Sequence, residues 1–465
     1  MMYNYKYFFC FDLSCVLFFF LNLLWIFFDP YDPHFQFVFS LNIFDFLFIF
    51  GVDGFSLFFV YLSGLLICLS MLYSFFNLRK NSVNYFLVYN GCIFFIFCLL
   101  ILVFFSLDLL FFYFCFEMIL MPFFTLIGIS SYRKRRIHAS YLFFFFTIFG
   151  SFLMLFSLFQ IYSIVGSTNI EVLFNQDFGF FRENFLWILL FLSLAVKVPM
   201  FPFHIWLPEA HVEAPTEGSV LLAGVLLKLG TYGILRFLFP IFPFSSYYLS
   251  PIAILLACLS IFYTSFVNLR QVDIKRIIAY SSISHMNMCI LGLFSFYIVS
   301  VVGSIHLMLA HGVVSGGLFF LVGMLYNRYH TKILNYYGGI VYIMPIYSFF
   351  LFLFVLGNVS FPLTSNFVGE FLIILGLSQT MSFYSLFFSC VGIFICSVYT
   401  FFMYNRVVFL LPKYSLLRSG FDLTFIELMV LIPLTFFVFW LGVYPLCWTN
   451  ILEYNVIYHF FFIVN

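Results

Sequence analysis

Charge is what this chain has least of. Only 8% of its 465 residues are Asp, Glu, Lys or Arg, while 65% are hydrophobic. So little polar surface excludes a soluble globular fold and leaves a polytopic membrane protein. The net charge of +1 gives no basic surface for nucleic acid. The eleven cysteines form no CxxC pair and lie scattered in apolar runs, as at Cys68, Cys98, Cys115, Cys258 and Cys396. Buried free thiols are the default there, and neither a metal nor an iron–sulfur site is expected. No GxGxxG or P-loop pattern occurs, which argues against nucleotide chemistry on this chain. No small-residue cleavage site separates the first apolar run from Asp29-Pro30, so that run reads as a retained span.

What is present is length and apolar runs. The chain can hold a dozen or more spans of about 20 residues. The runs predict about thirteen: 7–28, 54–76, 85–106, 109–130, 138–163, 185–207, 217–239, 250–269, 277–298, 301–326, 341–378, 384–411 and 424–446. Residues 34–50 are too short and mixed to span and read as an interfacial hairpin or loop; 447–465 read as a short apolar tail. The 80 phenylalanines point to an AT-rich genome, mitochondrial genomes being often of that kind, because Phe codons are T-rich.

Loop charges support the span count. Lys6, Arg79, Lys80, Arg133, Lys134, Arg135, Arg136, Arg270, Lys275, Arg276, Arg328, Lys332, Arg406, Lys413 and Arg418 fall on or near one face. Asp29, Asp32, Asp53, Asp108, Glu171, Asp177 and Glu183 fall on the other. This is the positive-inside pattern, with the N-terminus on the matrix or cytoplasmic side. Glu209, Glu213, Glu217, Asp273 and Asp422 dissent from it. Splitting 341–378 in two would move Arg406, Lys413 and Arg418 to the wrong face, so it reads as one span broken near Gly357-Asn358 to Pro362.

The stretch AVKVPMFPFHIWLPEAHVEAPTEGSVLLAGVLLKLGTYGILR, 195–236, puts charge where a membrane chain should have none. A lysine at a helix centre costs roughly 2.5–3.5 kcal/mol on insertion scales. Lys197 precedes Pro199 and Pro202, which remove backbone donors and break the helix. Lys228 has about eleven apolar-run residues on either side, too many for its ammonium to snorkel. Broken backbone is tolerated at membrane depth only around protein or a water-filled cavity. Two breaks, near 197–202 and 357–362, point to two inverted repeats with sites at the midplane.

Four more groups join the lysines. Glu117 lies mid-span and must pair with a cation or take up a proton. Glu370 follows the second break, as the counterpart of Lys197 with opposite charge. His285 and His311, in adjacent spans, supply groups that ordinarily titrate near neutral pH. His204 lies near the first break and is a further candidate; His211 is a weaker one. A lone buried histidine is more often structural; a purely structural Glu117–Lys197 pair is the bland alternative, and pairing is compatible with proton transfer. Taken together, the set is a chain of proton carriers with no nucleophile–base arrangement. A Glu117–Lys197 pair could act as a switch, with the lysine charged when paired and shedding its proton when separated.

The phrases FEMILMPFF, the 195–233 stretch, DIKRIIAYSSISHM, HGVVSGGLFF and SNFVGEF, in this order, resemble the antiporter-like membrane subunits of respiratory complex I. The resemblance covers roughly 51–446. It implies an all-α membrane protein that moves protons along Glu117, Lys197, Lys228, His285, His311 and Glu370. It divides the chain into N-terminal spans 1–106, antiporter-like repeats 107–269 and 270–411, and a C-terminal span and tail 412–465. FMN, iron–sulfur clusters and ubiquinone are then expected on other subunits, with no cofactor here. Partners would be other membrane-arm subunits, paralogous antiporter-like chains among them, and membrane lipids. The family usually has two spans before the segment resembling GVDGFSLFF; here there is one, so an accessory subunit is expected in the vacant position. The location implied is the mitochondrial inner membrane. A multisubunit Na⁺/H⁺ antiporter resembles the same family, and a structural subunit with a vestigial polar axis is the third reading.

Overall fold

The computed structural model describes residues 2–43, 46–78, 83–129, 134–380, 383–411 and 421–461. The expected charges at 79, 80, 133, 413 and 418 lie outside the described residues, as do the side chains of Lys6 and Lys134. Every expected span is occupied by helix. In order they are α1 (Met2–Phe27), α2 (Gly54–Leu78), α3 (Val83–Phe105), α4 (Leu109–Met118), α5 (Leu120–Ile129) and α6 (Lys134–Val165). Then come α7 (Phe180–Lys197), α8 (Trp206–Glu213), the continuous span α9 (Thr216–Ile241) and α10 (Ser250–Asn268). The second half holds α11 (Ile274–Leu293), α12 (Ile298–Tyr329), α13 (Pro345–Asn358), α14 (Ser365–Gln379), α15 (Phe383–Val408), α16 (Phe425–Val443) and α17 (Leu446–Phe461). The segment read as a hairpin or loop is an antiparallel pair, β1 (Gln36–Ile43) with β2 (Phe46–Val52). The apolar tail is helical over α17.

Among the described residues, nine helices are by themselves long and apolar enough to cross a membrane. Those that fall short of thirteen do so for physical reasons. The broken spans are divided into halves, and α11 carries Lys275, Arg276, His285 and five further Ser, Asn and Tyr side chains within one helix.

Both breaks are present. α7 stops at Lys197 and helix resumes only at Trp206, across Pro199 and Pro202, which cannot donate backbone bonds. α13 stops at Asn358 and α14 starts at Ser365. In that second gap Ser360 and Leu363 sit at φ of 60° and 76°, the left-handed region that costs a non-glycine residue about 1–3 kcal/mol.

Two spans, α9 and α12, are wholly enclosed by the others. α12 packs on α11, α13, α14, α16, α17 and the α9 span and so forms the centre of the bundle. Its approach to α14 depends on glycine. A Cβ at Gly369 would stand 2.7 Å from the Leu307 Cβ and 2.9 Å from the Leu307 backbone. Without a hydrophobic drive between helices in lipid, such close backbone contact is what holds them together. Gly369→Val is expected to force these helices apart at a cost of about 1–3 kcal/mol or more. A lower melting midpoint of the detergent-solubilised protein would register it.

Candidate functional site

The structure brings one half of the expected constellation close together, though Nε2 of His311 and Oε1 of Glu370 make no hydrogen bond. Lys228 follows a π-helical turn, Leu222–Leu226, that nothing in the sequence announced. Such turns are rare and concentrate at functional positions. The Lys228 ammonium donates to the Ala223 carbonyl at 2.6 Å and lies 3.1 Å from Nδ1 of His311 on α12. The His311 and His285 rings stand 5.4 Å apart, centre to centre. Nδ1 of His285, on α11, is 2.9 Å from Oε1 of Glu370 on α14. His285 also meets the Cys396 thiol of α15 at 3.7 Å through Nε2. All four ionisable side chains are buried, with Lys228 and His311 at 0% exposure. A cavity of about 10 Å³, on the order of one water, is lined by His285, Glu370, Ser284, Ser389 and Cys396.

The other half is built differently from the expected ion pair. Lys197 is buried at the end of α7, and its ammonium sits 4.2 Å over the ring of Phe116. It makes no hydrogen bond. Glu117 is only half-buried, has one buried oxygen without a partner, and lies beside Ser151 of α6. The reason is helical geometry. Successive residues point about 100° apart, so Phe116 faces the lysine while Glu117 turns toward α6. The ring face supplies the attraction instead, and the two charges feel each other only at a distance. The expected pair is therefore not closed in this conformation.

The two lysines sit on helices that touch. A Cβ at Gly230 would lie 3.2 Å from the Lys197 Cβ. No hydrogen bond or ion pair among the described residues joins the lysines to one another. His204 is buried, but it packs between Phe201 and Tyr263, at 5.8 and 5.3 Å, and contacts none of the other candidates. His211 stacks on Phe319 at 4.6 Å with both nitrogens unpartnered.

Three buried groups were not singled out from sequence. Lys275 donates to the Ala214 carbonyl at 3.0 Å. Glu217 accepts from Tyr89 and Thr216, each at 2.7 Å. His306, on α12, has both ring nitrogens without a hydrogen-bond partner. Lys275 looked like an ordinary loop charge, and Glu217 like one more acid on a basic face. Two of the acids that dissented from the charge pattern prove to answer it. Glu209 meets Arg276 at 2.5 Å, and Glu213 meets Arg136 at 3.5 Å and Lys332 at 3.9 Å.

Two interrupted helices around a buried row of amine, imidazole and carboxylate define an antiporter-like membrane protein. Residues 106–396 match the family model described as NADH:quinone oxidoreductase/Mrp antiporter, transmembrane. The chain belongs to this family, and within it groups with relatives called NADH-ubiquinone oxidoreductase chain 4. It is 43% identical to that of Chondrus crispus over 95% of this chain and 90% of the relative. It is 49% identical to that of Acanthamoeba castellanii over 85% and 79%. Its fold is similar to a chain in respiratory complex I from Thermus thermophilus with bound NADH, with TM-score 0.86, 25% identity, and coverage of 96% and 94%.

Proposed function

We propose that this chain is a proton-translocating membrane subunit of NADH:ubiquinone oxidoreductase in the mitochondrial inner membrane, with its N-terminus on the matrix side. The observation that carries the reading is the contact series Lys228–His311–His285–Glu370, enclosed at the centre of the bundle next to the second helix break. Amine, imidazole and carboxylate so placed can hand on a proton, with a water or a ring turn closing the step between His311 and His285. Such groups at membrane depth are costly unless they are used or paired. Relatives bearing the NADH-ubiquinone oxidoreductase name support the complex over the Na⁺/H⁺ antiporter reading. Sodium-dependent transport in liposomes would reverse that preference.

In this reading Glu117 and Lys197 are the coupling end. When Glu117 swings toward Lys197 the ammonium is held charged; when it turns away, the proton is driven along the row. Waters bridge Lys197 to Lys228. The repeats are 107–269 and 270–411. Flavin, iron–sulfur clusters and the quinone site belong to other chains. Partners are paralogous antiporter-like subunits, an accessory subunit beside α1, and lipids along the exposed phenylalanines.

The deciding experiment is Lys197→Ala in the assembled complex, following quinone reduction and proton uptake together. The expected result is a stable complex that loses pumping, or both activities, by a factor of about 10²–10⁴, the range typical of a lost proton-transfer group. Unchanged rate and proton yield would reduce the chain to a scaffold.

A further inference from the structure

The row described above ends at Glu370, yet a second set of buried polar atoms lies one turn beyond it. His306 is 1% exposed, and neither of its ring nitrogens has a hydrogen-bond partner. Its ring approaches the Ser365 backbone without closing a bond of normal geometry. Ser365 and Asn366, the first residues of α14, are both 0% exposed. The Ser365 hydroxyl and both amide atoms of Asn366 also lack partners, as does the Ser360 hydroxyl inside the break. Asn366 stands four residues before Glu370, on the same helix face and about 5–6 Å away at Cβ. The close packing of α12 on α14 at Gly369 and Leu307 fixes His306 against this turn.

Buried polar atoms are almost always satisfied, and several orphans gathered around one helix start call for water. The apolar alternative, a histidine merely filling space, does not account for why Ser365 and Asn366 are stranded with it. We propose that His306 is a further proton-relay residue of this chain, and that His306, Asn366 and Ser365 hold a water cluster carrying protons between Glu370 and the second helix break. A water gives a proton to one ring nitrogen while the N–H on the other nitrogen passes its proton to a second water. One proton crosses, and the ring turns over to restore its tautomer. The two histidines of α12 divide the work. His311 faces Lys228 and His285, and His306, five residues earlier, faces the start of α14.

This inference rests on the proton-translocation reading and is tested so that the two can fail separately. A map of the assembled complex that resolves waters is expected to show at least two ordered waters bonded to His306, Asn366 or Ser365; a dry cluster overturns the proposal. In coupled assays, His306→Leu and His306→Gln are both expected to lose about tenfold or more of proton uptake while the complex stays assembled. Full uptake with His306→Gln would leave the ring only a polar filler and overturn the relay, whatever the leucine variant does to assembly. Lys197→Ala is run alongside. If it stops pumping while His306→Gln does not, this inference alone fails; if neither variant changes pumping, the reading it rests on fails with it.

Discussion

Glu370→Ala is expected to abolish coupled proton transport in an otherwise assembled complex, by about 10²–10⁴-fold if Glu370 acts as a positioned proton-transfer group. Its carboxylate is 2.9 Å from His285, and no other described Asp or Glu lies within ion-pairing distance of that ring. Removing it takes away both the proton acceptor and the polar neighbour that stands against the ring. His285 would then face only the Cys396 thiol, itself bonded to Tyr399 at 3.1 Å, and the row would end one step short. Glu370→Gln separates the two roles. It keeps volume and a hydrogen-bond acceptor but cannot ionise, so it is expected to behave like the alanine in transport and like the wild type in assembly. Simultaneous measurement of NADH oxidation and proton uptake in reconstituted membranes checks this. Wild-type proton yield in the Gln variant would place the conduit elsewhere.

Lys197, Lys228, Glu117 and Glu370 stand out because an ionisable side chain inside an apolar run has no cheap explanation. Pro199 and Pro202 announce the first break, and loop charges decide that 341–378 holds the second. Contacts are another matter. That Lys197 rests on Phe116 rather than on Glu117 depends on which way one turn of α4 faces, and adjacent residues in FE give no hint. The π-helical turn before Lys228 has no pattern of its own, since LAGVL reads as ordinary helix. His306 lies in GSIHLMLAH, where a lone histidine looks structural. Only the packing of α12 on α14 reveals that it faces a helix start with stranded polar groups.

The second large effect concerns stability rather than transport. Arg236→Ala is expected to cost about 3–5 kcal/mol and to reduce the amount of assembled complex sharply, because it removes the cation from a buried ion pair. In sequence, Asp53 falls in a loop and Arg236 in a span, 183 residues apart. The structure joins them at 2.6 Å, with both side chains almost fully buried. The guanidinium also receives support from the Tyr232 hydroxyl at 3.1 Å, which donates in turn to the Phe104 carbonyl at 2.6 Å, and from the rings of Phe35 and Phe55 at 5.2 and 5.1 Å. This knot ties the β-hairpin exit, the start of α2, the end of α3 and the far end of α9 to one point. Arg236→Lys is not a mild change there, because a single ammonium cannot serve the carboxylate, the phenol and two ring faces from one plane. The discriminating variant is the double mutant Asp53→Ala with Arg236→Ala. A large part of the cost of either single change is an uncompensated buried charge, so removing both is expected to be less damaging than the sum of the two. Quantifying assembled complex for both singles and the double closes the cycle. Additive losses would mean that Asp53 and Arg236 each act through other contacts and that their bond contributes little.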